Sequence, residues 1–533
     1  MTAADPNTPA VPPAKPQPNT KVEHRNVPRS KAFREFIASG WAPRPAGLPA
    51  ALPAAGFARQ RRERISEQFP GERLVIPSGG FKVRSNDTDY RFRAHAAFSH
   101  LTGLGRDREP DAVLVLEPLP GGGHEASLFF RPRAERDSAE FYADPRYGEL
   151  WVGVRQSLAE IEAETGITAR HLDELAEVLI KELTTDGAGV RVRVVRDADE
   201  RATVFLDRAR TSGEAEGAPS AQTEEGAQTD AEQDELLTLE ERIVAADEEL
   251  ARALSELRLV KDAYEIEQMY EAVAVTVRGF ADIVRALPEA VASARGERVI
   301  EGVFAHRARV EGNGTGYETI AAAGAHACTL HWIRNDGQVR AGELVLIDAG
   351  AETDELYTAD VTRTIPVDGV FTEAQRKVYE LVLAAADAAF EIARPGTRFG
   401  ELNDVAQAVI ARGLAEWGLL PVDAEQSIDA EGQQHRRWIP HGVSHHLGID
   451  VHDCSKARRE MYLDGVIEAG MVFTIEPGLY FRAEDELVPP ELRGIGVRIE
   501  DDVLVTDDGC VNLSAALPRT PGEIEAWMRD LRG

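Results

Sequence analysis

Four acids stand where an apolar strand should bury them: Asp348 in VLIDAG, Asp360 in TADVTRTIPV, Glu476 in VFTIEPGLY and Glu500 in GVRIEDDVLV. A carboxylate among aliphatic neighbours loses its hydration and is tolerated only when a cation or hydrogen-bond donors replace the water. Four of them in one part of a chain call for a common cationic partner. Asp348 and Asp360 are twelve residues apart, a spacing that suits two strands joined by the polar turn AETDEL and brings both carboxylates to one face of a hairpin. Arg498 lies two residues before Glu500, on the same side of a strand of period two, where a guanidinium can orient the acids from behind.

The histidines supply the remaining donor. HGVSHHLGIDVHD, residues 441–453, holds four of the thirteen in the chain, and His435 lies just before it. Imidazole can ligate a metal, carry a proton or simply sit exposed. One such ring added to the four acids makes a set of two Asp, two Glu and one His. That set suits a pair of Mn(II), Fe(II), Co(II) or Zn(II) ions better than a thiolate zinc site. Five ligands for two ions require bridging carboxylates, and a bridged pair acidifies the water between the metals and clamps a carbonyl for hydrolysis. Taken singly, each residue has a plainer reading: Asp348 a turn residue, Glu476 a capping acid before Pro477, any one histidine an exposed polar side chain. Their joint order along one region favours the metal.

Composition narrows the partners. A chain of 533 residues with 43% hydrophobic content can bury more than one core. Its net charge of −31 repels nucleic acid and anionic membrane surfaces. Three cysteines, Cys328, Cys454 and Cys510, are too few and too odd for a disulfide framework and fit a reducing compartment. The N-terminus has no basic region followed by an apolar run, and no segment approaches the ~20 apolar residues that span a bilayer. The expectation is a cytoplasmic protein with neither nucleic-acid nor membrane partners.

Along the chain, residues 1–25 read as a disordered Pro-rich tail. Helical text (KAFREFIASGW, FARQRRERISEQF) and short apolar runs (ERLVIP, DAVLVLEP) then define an α/β domain over 26–208. Residues 209–237 form an acidic insertion, 238–255 a linker helix, 256–520 a second domain and 521–533 a tail. Within the second domain the order helices, strands, helices, strands suggests a duplicated α/β unit.

LHWIRND (330–336), LIDAGAETDELYTADVTRTIPV (346–367), HGVSHHLGIDVHD, TIEPGLY (474–480) and GVRIEDD (496–502) together resemble the Xaa-Pro aminopeptidases, pita-bread metallopeptidases related to prolidase and methionine aminopeptidase. YRFRAHAAFSHLTGL (90–104) is similar to the N-terminal domain of the same enzymes. The resemblance implies an N-terminal α/β domain followed by a pita-bread catalytic domain of mixed α and β structure. It implies two divalent ions, usually manganese, on Asp348, Asp360, His445, Glu476 and Glu500. His446 then falls at a variable position and is a surface or packing residue, and His435 has no functional match.

The resemblance also implies that His452 faces substrate and stabilises the tetrahedral intermediate, that His331 lines the pocket, and that Glu476 doubles as proton shuttle. His441, Arg498 and Tyr480 bind substrate. The implied reaction is attack of a metal-bridging hydroxide on the carbonyl of an Xaa-Pro bond, releasing one residue at a time from peptides with proline second. Relatives assemble as homodimers or homotetramers. A prolidase restricted to dipeptides shares nearly all of these motifs, and a non-catalytic pita-bread module that binds peptides is the alternative from another class. His326 departs from relatives, which more often carry Asn or a small polar residue there.

Overall fold

The computed structural model describes residues 27–28, 30–184, 189–211 and 238–533. The tail expected at 1–25 and residues 212–237 of the acidic insertion lie outside the described residues. The chain divides into two compact units, Met1–Ala251 and Arg252–Gly533.

In the first unit, ERLVIP and DAVLVLEP become neighbouring strands, Glu72–Pro77 and Val113–Pro118, paired antiparallel with Leu74 opposite Leu116. They lie in a five-stranded sheet ordered Thr168–His171, His124–Phe130, Val113–Pro118, Glu72–Pro77, Arg191–Val194. The two edge strands are parallel to their neighbours, which makes the sheet mixed. Every residue of Glu72–Pro77 is buried, as its near-continuous apolar text requires of a central strand. The exception proves instructive: the fully buried Arg73 donates twice to Glu117, at 2.5 and 2.7 Å, and also to the carbonyls of Leu179 and Lys181. A buried guanidinium with its donors satisfied is tolerable where a bare one is not.

The helix Leu239–Leu257 precedes the second unit's long helix, Ala263–Ala292, which starts at a reciprocal cap between Asp262 and Glu265. Ala263–Ala292 packs on Gly296–Glu311, which in turn packs on Ile320–Ala323, the edge of the three-stranded sheet Val361–Pro366, Leu344–Ala349, Ile320–Ala323, and both helices share that sheet's apolar core. The helices Glu373–Ile392 and Gly400–Glu416 follow. Two further sheets come next: Val472–Ile475 with Asp501–Val505 and Cys510–Asn512, and the pair Gly478–Phe481 with Ile495–Arg498. Phe280, Phe304, Ile347, Val382, Ile410 and Val497 belong to one continuous core, so helices and strands enclose a shared apolar interior.

Residues 521–533, expected as a tail, form instead the helix Pro521–Arg532, capped by Thr520 and Glu523. Ile524 and Met528 enter the main core, with Trp527 and Leu531 packed beside them. Their spacing is a narrow helical stripe, easily read as polar text when it is this short. Among the described residues, no helix is long and apolar enough to cross a membrane.

Candidate metal centre

Asp348 and Asp360 meet because their strands pair. Leu344–Ala349 and Val361–Pro366 run antiparallel with Asp348 opposite Thr362, and Asp360, two residues before Thr362, stays on the same face. The connection is not the simple turn that AETDEL suggested. Ala351–Glu352 departs to pair with Gly314–Thr315, and Leu356 turns the chain back at a φ of 71°. Gly350 permits the crossing, since a Cβ there would sit 1.6 Å from the Ala359 carbonyl oxygen. The Tyr317 hydroxyl lies 2.6 Å from Asp348 Oδ1 and 2.5 Å from Asp360 Oδ1. With one proton, it can donate to only one of them at a time.

Glu476 and Glu500 occupy breaks between strands, Glu476 before Pro477 and Glu500 between Ile495–Arg498 and Asp501–Val505. At such breaks the chain changes sheets, and the acid is freed from the ladder to turn inward. The histidine stretch runs beside Val472–Ile475: the Thr474 amide donates to His445 O at 2.9 Å and the Glu476 amide to Val443 O at 2.8 Å. Extended backbone sends adjacent side chains to opposite sides. His445 therefore points among the acids, its Nε2 3.3 Å from Asp360 Oδ2 and 3.7 Å from Glu476 Oε1. His446 points away, 1% exposed, stacked on Phe399 at 4.5 Å between ring centres and edge-on to Tyr462. It is a packing residue.

Asp360, His445 and Glu500 each offer a ligand atom within 4.8 Å of the others. Asp348 flanks this trio across Tyr317, and Glu476 flanks it across His445. Arg498 stands behind, as its spacing from Glu500 implied. Its Nη2 is 2.5 Å from Asp348 Oδ2, its Nη1 donates to the Tyr480 hydroxyl at 3.1 Å, and its Nε donates to Thr362 Oγ1 at 3.1 Å. The Thr362 hydroxyl donates in turn to Glu500 Oε2 at 2.6 Å. Asp502 accepts the Asp360 amide with both oxygens, at 3.1 and 3.2 Å.

The electrostatics are those of a crowded anionic cage. Burial, then the charges of Asp360, Glu476 and Asp348, push Glu500 well above the usual carboxylate range. Burial raises Asp348 against the opposing charge of Arg498. Glu476 is pushed up to about 7 by burial, which outweighs His445 and Arg498. Burial disfavours the His445 imidazolium, yet its hydrogen bond to Asp360 and the charge of Glu476 raise its pKa to about 9. Carboxylates that force one another toward protonation are relieved by a divalent cation in their midst. Hard oxygen donors with one imidazole fit the pair of ions expected.

Around this cage, His441 Nε2 lies 2.8 Å from the Tyr480 hydroxyl, and burial with the charge of Arg498 holds its pKa down at about 4. His452 meets His445 edge to face at 4.5 Å between ring centres. His331 and His452 are exposed; partial burial, then the charge of His445, lowers the pKa of His452, with a smaller effect from His331, which also acts on His441 and so lies near both rings. His435 is buried against Ser427, its Nδ1 2.9 Å from that carbonyl, away from this group. Sequence reading missed Tyr317, Thr362 and Asp502. Period two from Asp360 and Glu500 reaches Thr362 and Asp502, whereas nothing local marks Tyr317.

Comparison with known proteins gives this arrangement its relatives. The family described as Metallopeptidase family M24 matches residues 267–507, and the aminopeptidase P N-terminal domain matches residues 58–190. Xaa-Pro aminopeptidase 1 of Streptomyces coelicolor is 46% identical over 532 residues, 99% of each chain. The Xaa-Pro aminopeptidase of Escherichia coli is 31% identical over 89% of this chain and 97% of its own. Among solved structures, E. coli aminopeptidase P with the inhibitor Pro-Leu superimposes at a TM-score of 0.72 and 30% identity, over 90% of this chain and 100% of the other. Its zinc-substituted form with product gives the same TM-score of 0.72.

Proposed function

The chain belongs to the Xaa-Pro aminopeptidases of metallopeptidase family M24, and on that footing we propose that it removes the N-terminal residue from peptides with proline second. The observation that carries this reading is the convergence of Asp360, His445 and Glu500 within 4.8 Å, with Asp348 and Glu476 beside them. Similarity over the whole chain to Xaa-Pro aminopeptidases favours this activity over that of a prolidase. An intact set of acids disfavours a non-catalytic peptide-binding module.

Asp348, Asp360, His445, Glu476 and Glu500 would hold two divalent ions, with manganese as our assignment. When bound, such ions supply Lewis acidity, activating a water and polarising the scissile carbonyl. Glu476, whose Oε2 is 3.8 Å from His441 Nδ1, moves the proton between that water and the departing amine. His441, kept neutral and tethered to Tyr480, positions the residues after the scissile bond, and Arg498 keeps Tyr480 and Asp348 aligned. His331 and His452, at the opening, face the scissile Xaa-Pro bond, where His452 donates to the carbonyl oxygen of the residue before proline as it gains charge. Proline nitrogen in a tertiary amide has no proton to offer, so a pocket shaped for the ring must provide the selectivity.

We assign the first domain to 26–208 and the catalytic domain to 256–520. A homodimer or homotetramer is proposed from the family resemblance. Cys328, Cys454 and Cys510 are free, which supports a reducing, cytoplasmic location. A net charge of −31 supports the absence of nucleic-acid and membrane partners. The test is a mass-spectrometric product analysis of matched Xaa-Pro-Yaa and Xaa-Ala-Yaa peptides with manganese-loaded protein. Release of the first residue from only the proline series supports the reading; equal cleavage of both series removes it.

A further inference from the structure

One carboxylate outside the metal set receives four donors. Glu297, near the start of the helix Gly296–Glu311, is fully buried. Its Oε1 accepts the Ala323 amide at 2.9 Å and lies 2.7 Å from His326 Nδ1. Its Oε2 accepts Trp332 Nε1 at 2.9 Å and the Gly337 amide at 2.6 Å. These donors bracket the segment 323–337, which presents His331 at the opening of the metal centre. Position 337 tolerates no side chain, since a Cβ there would lie 2.7 Å from Glu297 Oε2.

Trp332 extends the chain of contacts. Its ring stacks on His326, with centres 3.9 Å apart and planes inclined by 25°. It also packs on the apolar cluster that contains Ala327, Leu346 and Tyr480. Tyr480 in turn holds His441 and Arg498. Glu297 thus governs two groups that face substrate: His331 directly along the chain, and the Tyr480–His441 pair through Trp332.

We infer that Glu297 is a positioning residue for proline recognition, fixing the His331 segment against Tyr480. This rests on reading the site as an Xaa-Pro aminopeptidase. A carboxylate is an acceptor only, so it can satisfy four converging donors, whereas a glutamine would turn its NH2 toward two of them. The segment has a second, separate anchor in Asn335, which accepts the Ala321 amide at 2.9 Å and donates to Thr319 O at 2.8 Å. Glu297→Gln should therefore displace the segment without unfolding the domain.

The experiment is a double-mutant cycle on the manganese-loaded enzyme: wild type, Glu297→Gln, His331→Ala and the double variant, with kcat and KM measured on Xaa-Pro-Yaa and Xaa-Ala-Yaa. Glu297→Gln should raise KM for the proline peptide about tenfold and narrow the preference over alanine, with metal content unchanged. His331→Ala should cost less in the Glu297→Gln background than in wild type, because its placement is already lost. Strict additivity, or a loss of metal in Glu297→Gln, would overturn the inference. Trp332→Phe, which keeps an aromatic ring against His326 and removes the Nε1 donor, should fall between wild type and Glu297→Gln and serves if Glu297→Gln does not fold. Should wild type itself leave Xaa-Pro bonds intact, the functional reading fails separately. Hydrogen exchange then decides on positioning: faster exchange over 323–337 in Glu297→Gln with 344–349 unchanged supports it, and unchanged exchange refutes it.

Discussion

His445 and His446 are neighbours with opposite surroundings, and the difference is one step of extended backbone. His445 turns toward Asp360 and Glu476, while His446 is stacked among Phe399 and Tyr462. His445→Ala or Asp360→Asn should each abolish activity and lower bound metal below stoichiometry, measured by elemental analysis, with the far-UV circular dichroism preserved. His452→Ala should retain its metal and lose about 100-fold in kcat, as removal of a transition-state donor does. The same residues set a pH dependence. Metal binding needs a neutral His445, whose pKa is raised to about 9, and an ionised Glu476, whose pKa is pushed up to about 7. Manganese affinity should therefore rise with pH through that range, with protons released on binding; titration calorimetry in buffers of different ionisation enthalpy reads both effects.

At the scale of elements, the centre is built from two strand pairs and the extended histidine stretch, and each depends on a local device. Gly350 lets the arms carrying Asp348 and Asp360 cross, with Ala359 O only 1.6 Å from where a Cβ would stand. Gly350→Ala should separate the two acids and reduce manganese affinity more than tenfold while leaving the helices intact, measured by metal titration with circular dichroism as control. Much of this was legible in the sequence because a buried acid in an apolar strand is conspicuous: VLIDAG and GVRIEDD identify their own residues. The strand excursion Ala351–Glu352 was not, because Ala351 pairs with Thr315, far away along the chain, and pairings over such distances leave no local periodicity. Tyr317 and Glu297 escaped for a related reason. One long-range hydrogen-bonding residue in a loop or at a helix start looks like any other polar side chain until the fold closes around it. The helix Pro521–Arg532 escaped because its apolar stripe is short.

At the scale of the whole molecule, the chain carries a net charge of −31, which attracts cations and repels anions at long range. Cationic peptides should be captured faster than anionic ones, and kcat/KM for Arg-Pro-Pro should fall several-fold as salt is raised, while Glu-Pro-Pro should not fall. Steady-state kinetics across ionic strength tests this. The central claim is that a metal-dependent aminopeptidase, and not a dipeptidase or a binding module, occupies the second unit. Its most direct test is hydrolysis of Arg-Pro-Pro and Gly-Pro in parallel by the manganese-loaded full chain, with a chelated control. Release of arginine from the tripeptide, abolished by chelation and restored by manganese, is the expected result; cleavage of the dipeptide alone, or of neither, would contradict it.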